Sequence, residues 1–548
     1  MFRYAYQLIL IVLACTLIFS CNDSEEPDTA APIITVKSPI ENQRVKGTIT
    51  IEATGEDRDT ELLMQVFLDG NLVDKSSVSV ISVQLDTKTL TEGIHTIKIT
   101  ATDKAGNSSE KIFNVDVRNI LFKVHISSNY VPEYAQIYFA LSQNDGSLIA
   151  FNQVENGGTI TVPTPSGFNP DSSFVFTQYF YLYMPKSPGN LETLIRNMSV
   201  SAGLNAGEFS TPNFGGNPLP VIGTHFLKIT EFPTSTYNAS LIGSNFSSSY
   251  SGALGYNGGV FTVNLDLNKN TSDLYFMLAA DTEVPVYNYI SSILPGGSTN
   301  FSITGLPQMK KAAVTTMDIA GKYDYWVYTG RGFGHVLFSG TGFFDDGKLP
   351  IYYPGSIYPE YVFDLRYQLG NNSYVNYIKG ATPPLSFQNL DATVSNVNYA
   401  NRKLTVMSTG TVDVVMVGGD RTNYTGTSFT LDTYSVTFPN GPKNQITIPN
   451  IPVELLNLEF TSPTDLVFEN AGLFDYLELS GASDYQSKLV FSSDDVFRYD
   501  REYIANSFQI TATSTGGRLA TQKKMKLPKP VEAILRNHFR LEEFRLFH

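Results

Sequence analysis

The chain has 548 residues, 42% of them hydrophobic, and its 38 lysines and arginines stand against 52 aspartates and glutamates, a formal net charge of −14. Nucleic acid and anionic lipid surfaces are therefore excluded as expected partners, because both require clustered positive charge. A chain of this length supplies several hydrophobic cores, and its many tyrosines, phenylalanines and glycines favour β structure throughout.

The first predicted element is a signal peptide over residues 1–20. Its apolar segment, residues 8–19, is too short to span a bilayer and has the length of a signal-peptide core. Cys21 follows it directly and precedes an acidic stretch. This pattern resembles the signals of Bacteroidota surface lipoproteins, which implies lipidation of Cys21 and display on the outer face of the outer membrane. Cleavage before Cys15, an ordinary signal peptide and an uncleaved anchor are the alternatives.

Neither of the two cysteines is then available as a free thiol, because Cys15 is removed with the signal peptide and Cys21 carries the lipid. The sequence therefore predicts neither a disulfide nor a thiolate metal site, and we expect no cofactor. Residues 21–31 are predicted to form a disordered acidic linker, since they are too polar to build a core.

Alternation with a period of two marks the first folded unit, residues 32–118. Ile97 and Ile99 share one predicted strand face, and Asp69-Gly70 fits a tight hairpin turn. Residues 93–103, followed by Ala105-Gly106-Asn107, resemble the last third of a bacterial immunoglobulin-like domain. The resemblance implies a β-sandwich that serves as a stalk, spacer or adhesion unit and carries no catalytic residue.

Two features of this unit have a chemical alternative. His95 shares its strand face with Ile97 and Ile99, which predicts a partly buried, hydrogen-bonded histidine rather than a metal ligand. The acidic loop of residues 56–61 offers oxygen atoms to calcium but lacks the spaced Asp/Asn and Gly residues of a known calcium loop. A solvated turn is predicted there, and no metal site.

The rest of the chain carries a degenerate repeat. Strings of Ile-Thr followed closely by proline begin at Ile160, Ile303 and Ile446, at a constant spacing of 143 residues. This spacing predicts three tandem β modules, against one or two larger irregular β domains. The modules would span residues 119–258, 259–400 and 401–548. Helical spacing of apolar residues after Pro530 predicts a short C-terminal helix.

Catalytic motifs are absent from the sequence, which has no His-Glu-x-x-His, no Gly-x-Ser-x-Gly and no phosphate loop. The glycine-rich residues 330–335 predict a β-turn, because a strand-like segment follows them. The acid pairs Asp345-Asp346 and Asp494-Asp495 are predicted to lie in exposed turns. We therefore expect a protein that is not an enzyme, with a glycoside-active enzyme as the lesser alternative.

The best candidate for ligand binding is the aromatic-rich stretch of residues 323–377. Strand alternation places Tyr323, Tyr325 and Val327 on one face and Asp324, Trp326 and Tyr328 on the other. A face that mixes aromatic and polar groups suits a sugar, because rings stack on pyranoses while polar groups bind the hydroxyls. The alternative is a set of ordinary strand aromatics. The predicted ligand-binding residues are Asp324, Trp326, Tyr328, Arg331, Tyr352 and Tyr353.

The predicted fold class is all-β, an immunoglobulin-like sandwich followed by a large β-rich region. A lipid anchor, an immunoglobulin-like domain and β modules in this order resemble the starch-binding accessory lipoproteins of Bacteroidota glycan-uptake systems. The resemblance of layout implies glycan capture, with a polysaccharide as partner and the membrane reached through Cys21. A structural or adhesive lipoprotein that binds a surface protein is the alternative.

Overall fold

The computed structural model describes most of the chain between residues 28 and 509. The described residues are 28–58, 61–186, 191–212, 220–232, 237–244, 250–254, 259–279, 284–315, 322–329, 336–342, 347–369, 372–439, 443–476, 485, 490 and 503–509. The predicted signal peptide, Cys21, Arg331, both acid pairs and the C-terminal helix lie outside them. Within the described part, no helix is long and apolar enough to cross a membrane.

The described part of the chain is almost all β, as predicted, with short 3-10 helices at Thr87–Thr89 and Val453–Leu458. The first strands are β1 (Ile33–Ser38), β2 (Gln43–Val45), β3 (Thr48–Glu56), β4 (Leu63–Leu68), β5 (Asn71–Ser76), β6 (Val80–Asp86), β7 (Gly93–Thr102), β8 (Ser108–Val117), β9 (Ile120–His125), β10 (Ala135–Ser142), β11 (Leu148–Gln153), β12 (Thr159–Pro163), β13 (Phe174–Met184), β14 (Glu192–Leu204), β15 (Gly207–Ser210), β16 (Gly223–Phe232), β17 (Tyr237–Ile242) and β18 (Tyr250–Leu254). The remaining strands are β19 (Gly259–Leu267), β20 (Ser272–Ala279), β21 (Val286–Ile293), β22 (Ser298–Ser302), β23 (Lys310–Thr315), β24 (Lys322–Thr329), β25 (Val336–Gly342), β26 (Lys348–Tyr353), β27 (Tyr361–Leu369), β28 (Asn372–Gly380), β29 (Thr393–Ala400), β30 (Lys403–Thr409), β31 (Val414–Tyr424), β32 (Ser428–Pro439), β33 (Lys443–Thr447), β34 (Asn470–Tyr476) and β35 (Tyr503–Gln509).

The chain forms two compact units: the smaller one contains the residues up to Ile120 together with Ser166–Asp171, and the larger one contains the other residues. The smaller unit is a β-sandwich of a three-stranded sheet, β1-β3-β6, and a five-stranded sheet, β2-β8-β7-β4-β5. Its core is built by the alternating apolar residues, and Ile51, Met64, Ile97 and Ile99 are fully buried. The predicted sandwich and its core faces are confirmed.

The hairpin between β4 and β5 also follows the prediction. Asp69 and Gly70 both adopt positive φ angles, 48° and 83°, which a tight two-residue turn requires. The Asp69 carboxylate additionally accepts hydrogen bonds from His95 Nδ1 at 2.6 Å and from the Thr96 amide at 2.9 Å. His95 Nε2 lies 2.9 Å from the Thr91 carbonyl, so both ring nitrogens have an acceptor and His95 is the hydrogen-bonded strand histidine that was predicted.

The stability of the smaller unit should depend on pH through this pair. Burial alone lowers the pKa of His95, but its bonds to Asp69 and Thr91 outweigh burial and raise that pKa, while the pKa of Asp69 is lowered by His95 and Thr96 against the opposing effect of its own burial. The stability that His95 contributes to the folded unit is fully present below about pH 6.5 and is lost as the pH rises through the folded-state pKa of His95. The stability that Asp69 contributes is fully present above about pH 4 and is lost as the pH falls through the folded-state pKa of Asp69.

The prediction is checked by NMR titration of the His95 ring, whose midpoint should lie above 6.5. In an Asp69→Asn chain the midpoint should fall, because the ring then loses its anionic partner and keeps its burial. A wild-type midpoint at or below 6.5 would contradict the prediction.

The larger unit repeats one strand order. In β9 to β15 a four-stranded sheet, β11-β10-β13-β14, accompanies a three-stranded sheet, β12-β9-β15. The same order recurs seven strands later as β18-β17-β20-β21 with β19-β16-β22. It recurs again as β25-β24-β27-β28 with the pair β23-β26, and as β32-β31-β34-β35 with β29-β30-β33, where β29 is added at the edge. We call these the first, second, third and fourth repeats.

This organisation differs from the predicted modules at 119–258, 259–400 and 401–548. Ile160 lies in β12 and Ile446 in β33, which hold equivalent places in their repeats, but Ile303 directly follows β22, at a different place. The spacing of 143 residues therefore does not mark a structural period. Strand order, which sequence spacing does not encode, defines the repeats.

Edge strands join three of the repeats into one 12-stranded sheet. Strand β14 pairs in parallel with β32, and β28 pairs antiparallel with β35. The cores are shared as well: one cluster combines Tyr179 and Met198 of the first repeat with Val417 and Val436 of the fourth. The boundaries predicted near residues 258 and 400 thus do not separate independent sheets.

Candidate functional site

The predicted binding residues centre on β24 in the third repeat. One face of this strand enters the core, where Tyr323, Tyr325 and Val327 are buried with Phe363 and Leu365 of the neighbouring β27. The alternation predicted for β24 is confirmed for residues 323–327. Burial raises the pKa of Tyr325, so its phenol stays protonated and lies 3.4 Å from the Tyr352 backbone amide as an acceptor.

The opposite face of β24 carries the tryptophan. Trp326 and Asp324 are half-buried, and the guanidinium carbon of Arg366 lies 5.1 Å from the centre of the Trp326 ring. Arg366 also donates two parallel hydrogen bonds to Asp364, Nε to Oδ1 at 2.9 Å and Nη2 to Oδ2 at 2.8 Å. The Asp364 side chain is fully buried, so the ion pair fixes the guanidinium against the indole.

Cross-strand register places these groups together. Trp326 pairs with Asp364 on one side and with the exposed Ser339 on the other, while Asp324 pairs with Arg366. We call Asp324, Trp326, Ser339 and Arg366 the Trp326 surface. It offers a ring with a hydroxyl, a carboxylate and a guanidinium beside it, which are the groups that bind a polyhydroxylated ligand.

Tyr328, a third predicted residue of this face, is only 1% exposed. It is therefore a packing residue in this structure and does not present its ring to a ligand at the surface. Arg331 lies outside the described residues.

Tyr352 and Tyr353 belong to the other side of the β24 sheet. They lie on β26, whose side chains pack against the core, and Tyr353 is 7% exposed with edge contacts to Tyr361 and Phe363. Tyr352 is half-buried and contacts Phe338 edge-on at 5.8 Å. The structure therefore brings Asp324 and Trp326 together but separates them from the two β26 tyrosines.

The sequence-based prediction did not include Arg366, which belongs to the Trp326 surface, or Asp364, which holds Arg366 in place. Asp364 and Arg366 are the two charged residues of strand β27 and stand two positions apart, and this is the signal that would have identified them. A charged pair with that spacing shares one strand face, and burial then requires the two groups to neutralise each other.

A second aromatic surface was also missed. Tyr289 on β21 and Tyr358, which precedes β27, meet edge-on at 5.5 Å, and both are half-buried at the margin of the third repeat's core. Tyr289 comes from the second repeat, outside the stretch of residues 323–377. No local sequence pattern links these two positions.

Comparison with known families identifies the smaller unit. Residues 32–99 match the bacterial Ig domain family, which confirms the immunoglobulin-like domain predicted at the N-terminal end. No curated protein matches the chain.

Similar solved structures are distant. One is the endo-β-1,4-mannanase from Thermotoga petrophila, with 15% identity over 18% of this chain and 21% of that chain and a TM-score of 0.15. Another is the fibronectin(III)-like modules of Clostridium thermocellum CbhA, with 18% identity over 16% of this chain and 94% of that chain and a TM-score of 0.15. Bacteroides ovatus mixed-linkage glucan utilization locus SGBP-B, in complex with a mixed-linkage heptasaccharide, shares 10% identity over 64% of this chain and 100% of that chain, with a TM-score of 0.17. The chain thus spans about a fifth of the mannanase. TM-scores of this size do not establish a shared fold, and the function proposed below does not depend on these structures.

Proposed function

We propose that this chain is a non-catalytic surface lipoprotein that captures a polysaccharide at the Trp326 surface. The observation that carries the proposal is the half-buried indole held by a guanidinium, which is itself fixed by a fully buried carboxylate. Asp324 and Ser339 beside it supply acceptors and a donor for sugar hydroxyls.

Preorganisation is the physical reason to favour this surface. A ring that is immobile before binding loses little conformational freedom when a ligand stacks on it, so more of the contact energy appears as affinity. Arg366 keeps one ring face occupied, and the ligand therefore stacks on the remaining exposed area of the indole. Lys322, whose Nζ lies 3.2 Å from Asp324, similarly restrains that carboxylate.

Display at the cell surface is the other part of the proposal. The lipid anchor at Cys21 and the outer-membrane location are supported by the N-terminal sequence pattern. The bacterial Ig domain follows the predicted linker directly and fits the role of a stalk, because it is a separate compact unit with a core of its own.

The test is a polysaccharide array probed with the full chain. Binding to at least one glycan is expected, and Trp326→Ala should weaken it at least about tenfold, which corresponds to about 1.4 kcal/mol of lost contact. The matched control is Tyr424→Ala, which removes an aromatic residue that is 51% exposed elsewhere in the larger unit and should leave binding unchanged. Tyr328→Ala is unsuitable, because removing a buried ring would disturb the fold.

Three results would contradict the proposal or a part of it. Full glycan binding by Trp326→Ala with loss in Tyr289→Ala would transfer the site to the second aromatic surface. New reducing ends released from a bound glycan would contradict the non-catalytic part. A blank array would contradict glycan capture.

A blank array would favour the second candidate, adhesion to a surface protein. The edge strand β5 of the Ig domain supports it, because all but the last of its residues are exposed, with Leu72 at 51% and Val73 at 38%. Among the described strands only β4 pairs with β5, so its outer edge can accept a strand of a partner.

A further inference from the structure

Three aspartates meet at one end of the bacterial Ig domain. Asp28 precedes β1, Asp57 follows β3 and Asp103 follows β7, so the three come from distant parts of the sequence. One carboxylate oxygen from each lies within 4.8 Å of the others. Three negative charges this close repel one another unless a cation or hydrogen-bond donors lie between them.

Hydrogen bonds satisfy only part of this cluster. Asp28 Oδ1 accepts the Ala30 amide at 3.0 Å, and Asp57 Oδ1 accepts the Arg58 amide at 2.6 Å. The second oxygen of each, Oδ2, is shielded from solvent and has no hydrogen-bond partner. A buried carboxylate oxygen without a donor is costly, so these two atoms point to a positive ligand that supplies what the protein does not.

Asp103 is held in place as the third side chain. It is 6% exposed and accepts hydrogen bonds from the Asn107 backbone and side-chain amides, both at 2.8 Å. The Asn107 side chain also donates to the Asp28 carbonyl at 3.0 Å and thereby joins Asp103 to the N-terminal segment.

No positively charged side chain neutralises the cluster. Among the described residues, no ion pair joins Asp28, Asp57 or Asp103 to a lysine or arginine. Other acidic residues of the same unit do have such partners: Asp116 lies 2.9 Å from Arg118 and Glu52 lies 3.0 Å from Lys37. The three clustered carboxylates thus have no ion-pair partner among the described lysines and arginines.

We propose that Asp28, Asp57 and Asp103 bind one Ca²⁺ ion. Calcium takes oxygen ligands at about 2.3–2.6 Å, so two oxygens on the same ion lie at most about 5 Å apart, which the observed limit of 4.8 Å meets. Carboxylates from a chain terminus and two loops form the flexible, all-oxygen set that calcium accepts. Residues 56–61 were predicted to form a solvated turn without a metal site, and a Ca²⁺ ion at Asp57 would make one residue of that turn a ligand.

The ion would tie the N-terminal segment to the body of the domain. Asp28 lies near the end of residues 21–31, the predicted linker, and accepts a hydrogen bond there from the Asn107 side chain, whereas Asp57 and Asp103 directly follow strands of the two opposing sheets. One cation bound by all three fixes the direction in which the chain enters the sandwich. It would therefore stiffen the base of the domain when calcium is present.

The test measures calcium binding by the full chain after treatment with a chelator. Isothermal titration with CaCl₂ should show binding with a Kd of about 0.1–1 mM, the range of extracellular modules. Asp57→Asn keeps the shape of the side chain but removes one charge, and it should weaken this binding at least about tenfold. Scanning calorimetry at 10 mM CaCl₂ should show one unfolding transition raised by at least about 5 °C in the wild type and by a clearly smaller amount in Asp57→Asn.

Asp74→Asn is the matched control, because Asp74 is an exposed aspartate on β5 of the same domain. It should bind calcium as the wild type does. Absence of calcium binding by the wild type, equal affinity in Asp57→Asn, or an equal thermal response to MgCl₂ would overturn the proposal. Because Trp326 lies in the other unit, glycan binding that fails while calcium binding persists would leave this inference intact.

Discussion

Replacing Arg366 by alanine is expected to lower the free energy of unfolding of the larger unit by about 3–5 kcal/mol. The Asp364 carboxylate, which Arg366 neutralises with two hydrogen bonds, is fully buried, whereas the Arg366 side chain is 14% exposed. Removal of the guanidinium leaves a negative charge inside the protein with neither water nor a counter-ion. The cost is mainly this uncompensated charge, and only partly the lost contact with Trp326.

Urea unfolding followed by tryptophan fluorescence measures this effect. The chain has one tryptophan, Trp326, so the signal reports on the larger unit and not on the Ig domain. Lys123→Ala is the control in the same unit: Lys123 and Glu208 lie 2.8 Å apart but are 30% and 56% exposed, and breaking their pair should cost less than about 1 kcal/mol. Equal losses for the two variants would contradict the buried-pair argument.

Gly410→Ala is expected to destabilise the larger unit by about 4 kcal/mol. Gly410 follows β30 with a φ of +84°, a conformation that costs alanine about 1–2 kcal/mol. A Cβ atom at this position would also meet the Asp391 carbonyl oxygen and lie 2.8 Å from the Ala392 Cα. Both obstacles are backbone atoms, so the chain must shift to relieve the clash, which adds about 1–3 kcal/mol.

Gly426→Ala separates the two contributions. Gly426 has nearly the same φ, +83°, but a Cβ atom there would meet nothing within 4 Å. It should therefore pay only the conformational cost, about 1–2 kcal/mol in the same fluorescence-detected unfolding experiment. If Gly410→Ala costs no more than Gly426→Ala, the close approach of residues 391–392 does not constrain the fold.

Local alternation predicted several of the buried residues correctly. Ile97 and Ile99 in the Ig domain and Tyr323 and Tyr325 in β24 all face a core, as the period of two requires. The Asp69-Gly70 turn was equally readable, because positive φ angles restrict the residue types that can occupy it. These properties depend on a few neighbouring residues, and the sequence states them directly.

The composition of the Trp326 surface was only half predictable. The strand period placed Asp324 and Trp326 on one face, but cross-strand register added Arg366 from a strand 40 positions later. Tyr352 and Tyr353 were misplaced in the expected platform because their strand packs on the other side of the same sheet. Alternation in the sequence shows which face of its strand a residue occupies. It does not show against which face of a sheet a distant strand will pack.

The amino-acid sequence by itself determined the all-β class, the Ig domain, its core faces and its hairpin. Tertiary structure alone decided that the described strands from β9 onward form four repeats of one order, that β14 reaches β32 across more than 200 residues, and that Asp28, Asp57 and Asp103 converge. The physical reason is range. Alternation and turn chemistry act between neighbours along the chain, whereas the pairing of distant strands depends on the total burial and hydrogen bonding of the folded unit, which no short segment encodes.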